Sequence, residues 1–133
     1  MTDELVIDAS ALVKALVQRD DDAIDLGMRL RDADLHAPHL VDAELGDVLR
    51  RLVVADRLHA ETATTALLSM DSLIDERYPH AGPLTRGAWG LRDRVRFYDA
   101  LYVALAARLD LPLVTADTRL SRAHDLPCEV QVV

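Results

Sequence analysis

Two acids in one stretch could do chemistry. Asp99 heads the almost wholly apolar helix of F-Y-D-A-L-Y-V-A-L-A, and Asp117 directly follows the short apolar run L-V-T at 113–115. An ionised carboxylate beside core-forming segments is costly unless something compensates it. Two in one unit point to a site. Asp8 directly follows the apolar run Leu5 to Ile7, and Glu44 lies in A-E-L-G-D-V-L-R-R beside the apolar stripe Val41, Leu45, Val48. Each acid alone has an ordinary reading: Asp8 or Asp117 as a cap or turn residue, Asp99 as a first-turn acid, Glu44 as an exposed helix residue. Brought to one point, four carboxylates repel strongly without a cation. Oxygen-only donors suit magnesium or manganese. The chemistry that follows most directly is phosphodiester hydrolysis, with metal-bound water as nucleophile.

The elements that must position these acids alternate. Leu5 to Ile7 reads as a buried strand, followed by a helix that Ser10 or Asp8 would cap. A second helix is predicted from Asp20 to Asp34, with Ile24, Met28 and Leu30 among its apolar positions, then a short strand Leu35 to Ala37 stopped by Pro38. His39 to Asp56 is a helix with the stripe Val41, Leu45, Val48, Leu49, Leu52. His59 to Arg77 is another, with the seam Ala60, Ala63, Leu67, Met70, Ile74; that pair either packs together or offers a partner groove. Tyr78 to Gly82 has room for a very short strand, and Thr85 to Arg94 for a weaker helix. The chain closes with a helix Tyr98 to Asp110, the strand Leu113 to Thr115, a short helix to about His124, and a strand Glu129 to Val133.

Strands alternating with helices imply an α/β layer fold with a mostly parallel sheet. Ligands of such sheets bind beyond the carboxyl ends of the strands. Asp8 and Asp117 both follow strands immediately, so they share that rim. Thr115 and Asp117 point to one side if the chain between them stays extended.

Composition sets the bounds. The chain has 133 residues, half of them apolar, and a formal charge of −8. That is one domain, residues 1–133, with a sizeable core. The acidic balance argues against a basic nucleic-acid binder, although a cation held by the acids would reverse the field that a phosphate meets. The basic residues are 14 Arg and Lys14 alone. Cys128 is the single cysteine, which excludes an intrachain disulfide and a cysteine-rich metal site. The start M-T-D-E lacks the basic head of a signal peptide, so a cytoplasmic protein is expected.

The segments V-I-D-A-S-A-L-V at 6–13, A-E-L-G-D-V-L-R-R at 43–51, F-Y-D-A-L-Y-V-A-L-A at 97–106 and L-V-T-A-D-T-R-L at 113–120 together resemble the PIN-domain ribonucleases, in particular the VapC toxins of toxin–antitoxin pairs. The resemblance implies a small α/β/α sandwich with a mainly parallel sheet. It implies Asp8, Glu44, Asp99 and Asp117 as metal-binding acids, supported by Ser10 and Thr115. It implies divalent-metal-dependent cleavage of RNA, a small antitoxin partner and a homodimer. It also selects Asp99 over Asp93, which lies between Arg92 and Arg94 and reads as surface. Asp47 departs from the family pattern, where an uncharged polar residue is more usual. Arg50, Arg51, Arg96 and Arg119 are candidates to hold flanking phosphates.

Two other classes fit these residues less well. A non-catalytic binding module of the same fold would be expected to have lost one of the four acids, and none is missing. A haloacid-type phosphatase needs an acid where Ser10 stands, and a receiver domain needs a late lysine where none exists.

Overall fold

The computed structural model describes residues 2–133. Its elements run β1 (Asp3–Ile7), α1 (Ala9–Val17), α2 (Asp21–Arg31), β2 (Ala33–Pro38), α3 (Leu40–Val54), α4 (Ala60–Leu73), β3 (Glu76–Tyr78), α5 (Pro83–Trp89), α6 (Phe97–Leu109), β4 (Leu113–Thr115), α7 (Thr118–Ser121) and β5 (Val130–Val132). The strands form one sheet in the order β3-β2-β1-β4-β5. Every pairing in it is parallel.

Strand β1 is central because it is apolar on both faces. Leu5, Val6 and Ile7 are fully buried, as a strand covered by helices on both sides requires. The chain steps outward from β1 to β2 to β3, with α1 to α4 packed on one another along the way. It then returns to β4, on the other side of β1, through α5 and α6, and α6 lies against β1, β2 and β4. Right-handed crossovers put the outward and returning helices on opposite faces. The result is the α/β/α sandwich with a parallel sheet that the family resemblance implied. The strand order turns around between β1 and β4, and in open α/β sheets that point opens a crevice for ligands.

Helix α6 is the central pillar. Seven consecutive residues, Ala100 to Ala106, are buried, so the helix has no water-facing side over two turns. It approaches α5 closely because Gly87 lacks a side chain: a Cβ there would sit 3.3 Å from the Cβ of Ala104. Leu101, nearly fully buried, should be among the most sensitive core positions. Leu101→Ala is expected to lower unfolding free energy by about 2–5 kcal/mol. Urea titration checks this, with the midpoint falling and the slope unchanged.

Some boundaries differ from expectation. Helix α2 ends at Arg31, and Ala33 already pairs in β2 with Asp3 of β1. Its core face is Ala23, Leu26 and Leu30, while Ile24 and Met28 are exposed. Pro38 does not stop β2 early; it is the last residue of the strand and is buried. The helix expected over His59 to Arg77 ends at Leu73. There the Asp75 side chain accepts a hydrogen bond from the Leu35 amide at 2.7 Å and draws the chain into the sheet. Strand β3 is therefore Glu76 to Tyr78, which overlaps only at Tyr78 the stretch where a short strand was expected. Arg77 turns from β3 to fork both oxygens of Asp42 on α3, at 2.6 and 3.0 Å. Pairing across the sheet overrides a helical pattern that local sequence would have continued. In α4, Ala63, Ala66 and Met70 face the core, and Ala60 and Leu67 face out.

Candidate active site

The ends of β1 and β4 are joined by hydroxyl groups. The Asp8 amide donates to the Val114 carbonyl at 3.3 Å, which sets the two strand ends side by side. Asp8 caps α1, accepting at Oδ1 from the Ala11 amide at 3.0 Å and from the Ser10 hydroxyl at 2.7 Å. Ser10 is thus not the helix cap. Its one proton goes to Asp8, and its oxygen accepts from the Ala116 amide at 2.9 Å. The Ser10 and Thr115 hydroxyls lie 3.1 Å apart, and the Thr115 hydroxyl also favours the ionised form of Asp8. Thr115, fully buried, accepts in turn from the Asp117 amide at 3.0 Å. The chain Asp8–Ser10–Thr115–Asp117 fixes two acids through two hydroxyls. Asp8 is 6 % exposed, and burial raises its pKa above the usual carboxylate value against the opposing pull of these donors.

Glu44 reaches the same rim from α3. Tyr102 of α6 donates its hydroxyl to Glu44 Oε1 at 2.6 Å. Burial raises the pKa of Glu44; the tyrosine opposes this, and the charges of Asp99 and Asp8 reinforce it. Burial and the Glu44 carboxylate together push the Tyr102 hydroxyl far up, so it stays protonated and remains a donor. Asp99 lies one turn before Tyr102 on α6, which brings both to one face.

Arginines compensate the two remaining acids. Asp117 caps the short α7, accepting at Oδ1 from the Arg119 amide at 2.9 Å. The Arg119 guanidinium contacts both of its oxygens, with Nη2 to Oδ2 at 2.8 Å. That contact holds the pKa of Asp117 below the usual value. Arg96, the residue preceding α6, approaches Asp99 Oδ2 at 3.4 Å.

Asp8, Glu44, Asp99 and Asp117 all line a single pocket of about 710 Å³, together with Ser10 and Tyr102. Asp47 lines it too, 3.8 Å from Arg51. Asp93 is exposed and lies outside the pocket, as does Arg50. Among the described residues, no three acidic, histidine or cysteine groups already converge closely enough to share one ion. The acids surround a common space, each tied to its own donor. As a donor set they fit a hard divalent cation: the carboxylates and hydroxyls are all oxygen ligands, and no His or Cys lines the pocket. The chain's one thiol, Cys128, lies elsewhere and is pushed up to about 11 by burial, which removes a competing nucleophile.

Tyr102 was missed in the sequence reading, as were Arg94 and Arg122, which flank the pocket's arginine side. A hydroxyl-tipped aromatic three residues after Asp99 is the signal that would have found the first. Among the described residues, no helix is long and apolar enough to cross a membrane.

The family model described as the PIN domain matches residues 5–126. Ribonuclease VapC1 of Mycobacterium tuberculosis is 50% identical over 131 residues, covering 98% of this chain and 98% of that protein. VapC ribonuclease Mb0985 of Mycobacterium bovis is 44% identical over 129 residues, covering 97% and 98%. Among solved structures, PAE2754 of Pyrobaculum aerophilum superposes with a TM-score of 0.69 at 26% identity, over 96% of this chain and 83% of that one. VapBC2 of Rickettsia felis, bound to a DNA fragment from its promoter, shares the fold at a TM-score of 0.70 and 16% identity, over 98% of each chain. With the family match spanning strands β1 (from Leu5) to β4, all seven helices and all four acids, the chain belongs to the PIN-domain family, in its VapC ribonuclease group.

Proposed function

We propose that the chain hydrolyses RNA phosphodiester bonds at this pocket, as a divalent-metal-dependent nuclease and the toxin half of a toxin–antitoxin pair. The observation that carries the reading is the lining of one pocket by Asp8, Glu44, Asp99 and Asp117, with Asp47 beside them, in a chain half identical to ribonuclease VapC1. Asp8, Asp99 and Asp117 would hold the ion, magnesium or manganese, which supplies a water activated for attack and offsets the phosphate charge. Ser10 and Thr115 keep Asp8 and the Asp117 backbone in register, as supporting hydrogen bonds do for metal ligands. Glu44 completes the shell or orients the attacking water. With Oε1 fixed by Tyr102, Oε2 is the atom left to accept the proton of that water, and a raised pKa makes Glu44 a stronger base.

Arg96 and Arg119 have a second task in this reading. They offset the charges of Asp99 and Asp117, and their exposed guanidinium groups would meet substrate phosphate. A small antitoxin, a homodimer and a cytoplasmic setting follow from membership of the VapC group and stand as part of the proposal.

The test uses protein freed of any antitoxin and total RNA. Cleavage is expected with Mg²⁺ or Mn²⁺, none with EDTA, and recovery on adding metal back. RNA cut equally well in excess chelator would overturn the metal-dependent reading.

A further inference from the structure

A second, smaller groove of about 320 Å³ adjoins the acidic pocket and shares Arg96, Asp99 and Arg119 with it. It adds Arg94 and Arg122. Four guanidinium groups thus meet one carboxylate, on a chain whose formal charge is −8. This local reversal of sign is the groove's main feature. Arg96 and Arg119 are about two-thirds or more exposed, at 65% and 74% of their side-chain surface, and lie against acids of the neighbouring pocket. Among the described residues, Arg94 gives a hydrogen bond only to the Asp125 backbone carbonyl, at 2.6 Å, and has no carboxylate partner. Arg122 has no side-chain hydrogen bond or ion pair among the described residues. Neither guanidinium is neutralised by the fold.

We propose that this groove is a phosphate subsite for the RNA chain: Arg94 and Arg122 hold a backbone phosphate next to the one that reaches the acids. The inference rests on the RNA-cleaving reading above and deepens it. Guanidinium forks match phosphate oxygens, and phosphate contacts position a strand without reading its bases. The shared wall makes the role geometric. Arg96 and Arg119 face both spaces, so a strand lying in the groove continues past them to Asp99 and Asp117. No aromatic lines the groove, so it offers charge without a stacking surface. It should therefore grip RNAs of different sequence alike and leave base selection to other surfaces.

The experiment measures binding, so that it stands apart from whether the protein cleaves. In an Asp8→Asn background, with RNA integrity checked on a gel, the affinity for short single-stranded RNAs of two unrelated sequences is measured across a salt series. Arg94→Gln and Arg122→Gln are each expected to weaken both RNAs about tenfold and to lower the salt slope by ~0.7. Arg108→Gln is the control: it is exposed on the last turn of α6, about 13 Å along the helix from Asp99. The exposed position of all three side chains lets the variants fold, which melting curves verify. Unchanged affinity in Arg94→Gln and Arg122→Gln would overturn the subsite and leave the groove to an acidic protein partner. An equal loss in Arg108→Gln would overturn it too, by reducing the effect to overall charge. Failure of the nuclease reading alone would show as intact RNA with wild-type protein and metal, whatever the arginines do to binding.

Discussion

Asp8→Asn should remove RNA cleavage and, in metal-free protein at neutral pH, make the fold more stable. The two effects have one cause. Asp8 is buried at the meeting of β1 and β4, and its ionised form is disfavoured there by loss of water. The asparagine keeps the shape and an oxygen that accepts from Ser10 and Ala11, so the joint between the strands survives. It lacks the charge that a cation requires. Cleavage should fall more than ~100-fold, because even a group that merely supports a metal ligand is worth up to about that factor.

The stability change follows from the direction of the Asp8 shift. A carboxyl whose pKa is raised by folding binds its proton more readily in the native state than in the unfolded chain. Its contribution is then favourable at acid pH, below the unfolded value, and is lost as pH rises through the folded value. Removing the charge should raise stability by about 1 kcal/mol at neutral pH, the scale at which active-site positions commonly trade stability for activity. The gain should shrink as pH is lowered into the acid range. Mg²⁺ should raise the wild-type melting temperature, by the free energy of binding the native state alone, and barely move that of Asp8→Asn. Calorimetry with and without EDTA reads all of this. A variant that melts lower than wild type at every pH would mean that Asp8 is structural first.

That the four acids would share one pocket was legible because each sits at a place that a fold of this class fixes independently, although the choice of Asp99 over Asp93 came from the family resemblance. Asp8 and Asp117 follow strands, and parallel strands share one carboxyl rim. Asp99 heads a helix too apolar to face water, and Glu44 flanks a core stripe. The hydroxyl joint was partly legible: the family resemblance implies Ser10 and Thr115 as supports, while local pattern makes Ser10 a helix cap, because its contact with Thr115 bridges 105 positions. What local pattern could not show is what packing decides. Strand β3 is three residues long and follows α4 without a turn signal; the Asp75–Leu35 hydrogen bond ends the helix from outside it. Arg94 and Arg122 read as ordinary solvated side chains, because a groove exists only once the segment before α6 meets α7. The sequence argued for a cation among the acids. The structure shows two of the acids already facing arginines; the three-residue spacing made the Arg96–Asp99 pair available to local reasoning, whereas Arg119 meets Asp117 through the turn that opens α7.

Tyr102 carries the second large effect. Its ring is buried to 1 % exposure, and its hydroxyl is the donor that holds Glu44. Tyr102→Phe keeps the ring, so the packing of α6 against the sheet should persist. What is lost is a charge-assisted hydrogen bond in a half-buried site, with Glu44 Oε1 left without its partner. Burial already raises the pKa of Glu44, and the tyrosine is the strongest influence opposing it. Without that donor the pKa should rise further. If Glu44 acts in its ionised form, kcat should fall about 10–100-fold near neutrality. The acid limb of the pH–rate profile should move to higher pH, and part of the loss should be recovered there. KM for RNA should change little, because Tyr102 is almost wholly buried and its hydroxyl is already engaged with Glu44. A purely structural defect would depress the rate equally at every pH and would lower the melting temperature in parallel. A profile of unchanged shape in a variant that still melts near wild type would separate Tyr102 from the proton transfer and leave Glu44 in place by other means.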